Sequence, residues 1–211
     1  WLADKISVVA ITGRSVTDAR RILGLESLVY SGNHGAEWLD RGAKYVEPSA
    51  QRYVTRIHEL ALRATRELEI EQLFVEDKGP TLSIHYRNAP NPSIARDVIF
   101  DFLATAASEM NVQEGKMVAE VRPPLPLSKG TSVQSFVRQH RLRAMLVIGD
   151  DATDAEAFDA ARELRSSEGV VSMNIAVIAT DSPAALMASA DYAIDGTRGV
   201  QRLLDWLKKN L

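Results

Sequence analysis

The run Ala144-Met145-Leu146-Val147-Ile148-Gly149-Asp150-Asp151-Ala152-Thr153-Asp154 carries most of the chemistry that the sequence offers. A short apolar strand ending in glycine and two consecutive carboxylates sets those carboxylates at the carboxyl edge of a sheet, where open α/β folds bind ligands. Adjacent anions repel each other, and this segment contains no basic residue. A divalent cation relieves the repulsion most simply, and a set of oxygen ligands favours Mg²⁺. Asp150 and Asp151 are therefore the candidate metal ligands. Asp154, at the start of the next helix, is placed to orient them or to stabilise the helix N-terminus through its dipole. Ordinary capping of a βα loop is the plainer alternative, and the full pattern favours function over it.

Two further segments have the same placement. Thr12-Gly13-Arg14 ends an apolar run and precedes a helical pattern. Threonine supplies a hydroxyl, glycine lets a ligand approach the backbone, and a helix N-terminus favours an anion, so a phosphoryl oxygen suits this turn. Alone, such a turn is usually only a turn. Lys129-Gly130 opens another helix, where a lysine adds charge to an already positive dipole end unless an anion is also present. A compact ammonium there suits a phosphate or carboxylate; a solvated surface lysine is the alternative. A hydroxyl, a cation and a carboxylate pair on one sheet edge suit magnesium-assisted phosphoryl transfer, which is mostly positioning and charge neutralisation.

The elements that must hold these groups follow from the apolar pattern. Ile6–Ile11 reads as a buried parallel strand, Ser15 as the N-cap of a helix over 16–23, and Leu28–Tyr30 as a second strand. From about residue 39 to 122 the texture changes. Helical patterns over 51–69 and 94–110 alternate with strand-like pieces at 73–75, 81–87 and 116–121, and the alternation of Leu82, Ile84 and Tyr86 with Ser83, His85 and Arg87 predicts a strand with one exposed face. Arg122-Pro123-Pro124-Leu125-Pro126 makes a stiff connector. Beyond it the βα rhythm returns: a helix capped by Ser128 or Thr131, a strand over 144–148, a helix from Asp154 capped by Thr153, a strand over 175–179, a helix opened by Asp181-Ser182-Pro183 with proline in its first turn, a strand over 192–194 and a closing helix over 200–207. The expected architecture is a doubly wound parallel α/β core built from residues 1–38 and 123–211, with an inserted α+β module over 39–122.

Composition limits the alternatives. Of 211 residues, 45% are hydrophobic and 25% charged, with a net charge of −3, which excludes a disordered chain. The near-neutral balance and the short basic stretch Arg138, His140, Arg141 and Arg143, read as a solvated helix end, argue against a nucleic-acid partner. No stretch approaches the ~20 apolar residues of a membrane span, so no membrane partner is expected and the cytoplasm is the expected location. With no cysteine, thiolate metal sites and cysteine nucleophiles are excluded.

The order of these motifs resembles that of the haloacid-dehalogenase-like phosphatases, with Thr12 as the second-motif hydroxyl, Lys129 as the third-motif lysine, and Gly149-Asp150-Asp151 with Asp154 as the fourth, metal-binding motif. More narrowly, the chain is similar to the trehalose-6-phosphate phosphatases through Ile11–Arg14, Gly32–Glu37, Val75–Gly79, Leu82–Arg87, Gly115-Lys116 with Glu120–Pro123, Lys129-Gly130, and Gly149–Asp154 before Phe158. The resemblance implies a Rossmann-like core and a cap over 39–122 that closes on the sugar. It implies catalytic roles for Thr12, Lys129 and Asp154, and substrate contacts from Gly13, Arg14, Asn33, His34, Glu76, Lys78 and Glu120. His85 and Arg87 would support the cap sheet. The implied reaction is magnesium-dependent hydrolysis of trehalose 6-phosphate to trehalose and phosphate through an aspartyl-phosphate, in trehalose biosynthesis. The family's Asp-x-Asp-Gly-Thr first motif, which carries the nucleophile, is absent from the 211 residues, and Asp195-Gly196-Thr197 reads as a strand-to-helix turn. The first motif is therefore expected upstream of Trp1. Sucrose 6-phosphate, a mannosyl phosphoglycerate and a hexose phosphate stand as alternative substrates, and a non-catalytic phosphatase-like regulatory domain as the alternative class. A sugar phosphate is the expected partner; a monomer and coupling to a trehalose-phosphate synthase are both open.

Overall fold

The computed structural model describes residues 1–180 and 182–211; Asp181, expected to open a helix, lies outside the described residues. In chain order the elements begin with β1 (Val9–Ile11), α1 (Val16–Leu23), β2 (Val29–Gly32), β3 (Glu37–Asp40), β4 (Ala43–Val46), α2 (Pro48–Gln51) and α3 (Val54–Glu67). Then come β5 (Phe74–Asp77), β6 (Leu82–His85), α4 (Pro92–Ala106), β7 (Asn111–Gly115) and β8 (Val118–Arg122). The chain closes with α5 (Lys129–His140), β9 (Ala144–Gly149), α6 (Asp154–Glu168), β10 (Val171–Ile178), α7 (Ala184–Ser189), β11 (Tyr192–Asp195) and α8 (Gly196–Asn210). Two compact units divide the chain. The first comprises Trp1–Gly35, Leu39–Ala43 and Pro126–Leu211; the second comprises Ala36–Trp38 and Lys44–Leu125.

The first unit is parallel α/β. β1 pairs with β2 in parallel, with Val9 opposite Val29 and Ile11 opposite Ser31. β10 lies between β9 and β11, parallel to both, so that Ile175 faces Ile148 on one side and Tyr192 on the other. Local signals explain where the helices start. The Ser15 hydroxyl accepts from Asp18 N at 3.1 Å and caps α1. Ser128 and Thr131 form a reciprocal capping box at the start of α5. One core cluster joins Val133 and Val137 of α5 to Ala157, Ala160 and Leu164 of α6, with Ile11, Met145 and Val147 packed against it. Ile11 stands next to Thr12, and Val147 two residues before Gly149, so this cluster draws the ends of β1 and β9 and the start of α5 together.

The second unit holds the antiparallel sheet β5-β6-β8-β7. One face of that sheet is apolar: Leu82, Ile84, Ala119 and Val121 are fully buried in a cluster with Ile57, Leu60 and Ala64 of α3 and Ala95, Ile99 and Leu103 of α4. Burying each such Leu or Ile is worth about 1.5–3 kcal/mol relative to exposing it. The opposite face is polar, as the alternation through 82–87 requires.

Several boundaries differ from those read in the sequence, for identifiable reasons. β1 begins at Val9, because Leu2–Asp4 forms a 3-10 turn and Ile6 is 42% exposed. Pro48 starts the separate short helix α2, so α3 begins at Val54 rather than near 51. Pro183 is the N-cap of α7 in an extended conformation and not a residue of its first turn. β3, β4 and β7 escaped notice. In β7 only Val112 is apolar among Asn111–Gly115, and the strand lies at a sheet edge. α6 and α8 run beyond their expected C-terminal ends, and β10 and α8 begin before their expected starts.

Candidate active site

The turn after β9 is organised around Lys129. Its side chain, only 7% exposed, places Nζ 2.8 Å from Asp154 Oδ1 and 3.2 Å from both carboxylate oxygens of Asp151. Burial penalises the ammonium, but hydrogen bonding to Asp154 and the charges of Asp154 and Asp151 outweigh that penalty and hold the Lys129 pKa above the ordinary lysine value. The anion that a lysine at a helix N-terminus requires is thus present in the chain itself. Asp151 shows the converse balance. Burial raises its pKa, while hydrogen bonding from Thr153, the charge of Lys129 and the amide of Asp154 lower it further, so it stays ionised below the usual aspartate range.

Asp151 and Asp154 also organise the backbone. Asp154 Oδ2 accepts from the amides of Asp150 and Asp151 at 2.9 and 3.0 Å. Asp151 Oδ1 accepts from the amides of Thr153 and Asp154 at 2.8 and 3.0 Å and from the Thr153 hydroxyl at 2.6 Å. Thr153, read as the cap of α6, occupies the N-cap position but turns its hydroxyl to Asp151. The Asp-x-Thr spacing was the signal for this local turn. Gly149 is required here by space: a Cβ at this position would lie 2.3 Å from Asp154 Cβ. The glycine lets Asp154 close over the end of β9.

Relief of the Asp150–Asp151 repulsion therefore comes from Lys129 on the Asp151 side. The exposed Asp150 carboxylate has no hydrogen-bond or ion-pair partner among the described residues. No group of three or more His, Cys, Asp or Glu among the described residues is disposed to hold a metal ion. A single hard carboxylate nonetheless fits Mg²⁺, which is commonly held by one or two carboxylates with waters and substrate phosphate.

The turn after β1 is built differently. Thr12 Oγ1 accepts from Arg14 N at 3.1 Å, which leaves the hydroxyl proton available to an acceptor outside the turn. Arg14 itself pairs with Asp18 at 3.0 Å and is exposed. Asn33 N donates to Arg14 O and His34 N to Thr12 O, so the 3-10 turn Asn33–Gly35 is laced to the 12–14 turn. His34, in the left-handed region at φ 55°, is buried with its imidazole against Gly13, where a Cβ would lie 2.5 Å from Nε2. A buried hydrogen bond of 2.9 Å between the Ser31 and Ser132 hydroxyls ties β2 to α5.

The remaining expected residues lie in the second unit. Glu76 of β5 and Glu120 of β8 are on its polar sheet face; His85 Nε2 is 2.9 Å from Glu76 Oε2, Lys78 Nζ is 3.7 Å from the same oxygen, and Arg122 donates to Glu120 Oε2. The hydrogen bond between His85 and Glu76 had no counterpart in the sequence reading, in which the expected strand over 73–75 stops short of Glu76.

The fold is that of a haloacid-dehalogenase-like hydrolase. A solved structure of such a hydrolase from Bacteroides thetaiotaomicron matches 98% of this chain and 88% of its own with a TM-score of 0.67 at 13% identity. A crystal structure titled as a trehalose-6-phosphate phosphatase related protein matches 99% of this chain and 83% of its own with a TM-score of 0.77 at 20% identity. A family model described as trehalose-phosphatase matches residues 1–197, and the chain belongs to that family. The trehalose-phosphate phosphatase of Mycobacterium avium (strain 104) is 28% identical over 200 residues, which cover 87% of this chain and 51% of that protein. The chain spans about half the length of such curated relatives.

Proposed function

We propose that this chain provides the phosphate-handling and sugar-binding residues of a magnesium-dependent phosphatase acting on trehalose 6-phosphate. The observation that carries the reading is the buried Lys129 bracketed by Asp151 and Asp154 at the end of β9, in a chain of the trehalose-phosphatase family. Lys129 is fixed, charged and shielded from water, so it stabilises charge that develops on phosphoryl oxygens without reorganising. Thr12 donates its free hydroxyl proton to a second phosphoryl oxygen. Asp154 holds both Lys129 and the amides of the 150–151 turn, which makes it a positioning residue. Mg²⁺, held by Asp150 with Asp151 behind it, would supply Lewis-acid neutralisation of the phosphate. By resemblance, the attacking aspartate belongs to a motif preceding the Thr12 strand; its oxygen bonds to phosphorus as the sugar C–O oxygen departs with a proton, and water then releases phosphate. Glu76, Lys78 and Glu120 hold the disaccharide, and Gly13, Arg14, Asn33 and His34 shape the phosphate side. The protein works on a soluble sugar phosphate in the cytoplasm; no helix among the described residues is long and apolar enough to cross a membrane.

Phosphate release from trehalose 6-phosphate, assayed on a chain that retains the expected first motif ahead of the Thr12 strand, tests this directly. Release that requires magnesium and falls about 10²-fold or more in Asp150→Asn is expected. Release unaffected by Asp150→Asn or by chelation overturns the mechanism, and release from sucrose 6-phosphate alone overturns the substrate.

A further inference from the structure

We infer that Ser83 is the floor of a sugar-reading notch between Glu76 and Glu120, and that it sets the preference of the second unit for a pyranose ring. The inference rests on the sugar-phosphate reading above and adds to it a residue that the sequence motifs leave out. The strand register puts Glu76 opposite Ser83, Ser83 opposite Glu120, and Glu120 opposite Gln113, one continuous row across β5, β6, β8 and β7. Neighbouring strands lie about 4.8 Å apart, so the two glutamates flank the serine at a backbone separation of about 10 Å. A small side chain between two long ones makes a dip in the sheet face.

Burial makes Ser83 unusual. It is 2% exposed and makes no side-chain hydrogen bond among the described residues, and its Oγ is not one of the fully buried polar atoms that lack a partner, so the hydroxyl keeps a narrow opening to the surface. A hydroxyl that reaches the surface with its hydrogen-bonding capacity unused can pair with a ligand hydroxyl. The surroundings define the ligand's chemistry. Lys78 offsets Glu76 and Arg122 offsets Glu120, with a ring nitrogen of His85 also against Glu76, so the row is polar without a strong net charge and suits a neutral polyol rather than an ion. In the adjoining row Phe74 and His85 stack with ring centroids 5.5 Å apart, and Phe74 is 59% exposed. An aromatic shelf beside fixed carboxylates matches the apolar C–H face and hydroxyl edge of a sugar ring. A site that hydrogen-bonds a particular hydroxyl discriminates strongly against ligands lacking it.

Two variants separate a sugar contact from a structural role, with thermal unfolding checking each fold. Ser83→Leu fills the dip and should raise KM for trehalose 6-phosphate at least about tenfold, with kcat and the turnover of p-nitrophenyl phosphate within about twofold of the parent. Ser83→Ala removes one neutral hydrogen bond and should raise the same KM about fivefold. Unchanged KM in Ser83→Ala, or equal losses on both substrates in a folded variant, overturns the inference. If the parent protein releases no phosphate from either substrate, the proposed function fails while saturation-transfer NMR with trehalose as the probe still decides this point. A several-fold weaker trehalose Kd in Ser83→Ala supports the notch, and no trehalose binding by the parent, or an unchanged Kd, overturns it.

Discussion

Both units present a cation among carboxylates, and they use it in opposite ways. In the first unit Lys129 is 7% exposed and touches Asp154, 14% exposed, and Asp151, 57% exposed; both carboxylates also accept from backbone amides, and Asp151 from the Thr153 hydroxyl. In the second unit Glu76, 31% exposed, has Lys78 Nζ at 3.7 Å and the ring of His85, 38% exposed, in hydrogen-bond contact on a polar sheet face. A buried, over-determined charge is rigid and keeps its strength because water cannot screen it. Half-exposed pairs are worth little to the fold and can exchange partners with a ligand. Fixed charge suits a reaction whose demand is always the same phosphoryl group, and exchangeable charge suits recognition of a hydroxyl-rich surface.

The sharpest way to break this contrast is Lys129→Ala. It leaves the largely buried Asp154 carboxylate without its cation, beside the more exposed Asp151, and should cost about 2 kcal/mol or more of stability, read from denaturant unfolding. A loss below about 1 kcal/mol would place Lys129 with the surface pairs. A smaller effect is expected from acid. The Asp151 pKa is depressed in the folded state, so its contribution to stability is complete above the ordinary aspartate value of 3.8 and is lost as pH falls through the lower folded value. The melting temperature of the parent should therefore exceed that of Asp151→Asn at pH 7, with the gap closing below about pH 3.8. A constant gap would remove the charge from the explanation. The smallest effect belongs to the second unit: Glu76→Gln should change stability by no more than about 0.5 kcal/mol, while raising KM for trehalose 6-phosphate. A large loss of stability there would erase the distinction between the two units.

Much of this arrangement was legible in the chain. The apolar run before Gly149 fixed a strand whose end carries Asp150 and Asp151, and Ser128 fixed the helix start that presents Lys129. What sequence spacing did not reveal was pairing across distance. Lys129 is 22 residues from Asp151, and a search for a basic neighbour within the Asp150–Asp151 segment could not find a counter-charge brought in by the packing of α5 on α6. Ser83 was assigned to the exposed face by alternation, but its burial depends on neighbours in β5 and β8 that only register identifies. β7 was missed because an edge strand with one apolar residue has no hydrophobic period to read.

The Ser31–Ser132 hydrogen bond spans 101 positions of sequence, and the first unit is assembled from both sides of that gap. Closing a loop of this length costs roughly 4 kcal/mol of chain entropy before the two halves of the first unit can meet, although β1 pairs with β2 and β9 with β10 within each half. Most of the second unit, Lys44–Leu125, is by contrast one continuous stretch whose helices and strands meet their neighbours locally. During synthesis that stretch can fold as soon as it emerges, whereas the unit begun by β1 and β2 is completed only by the chain beyond Pro126. Once folded, the second unit shortens the effective loop between the two halves of the first and lowers the entropy cost of bringing them together.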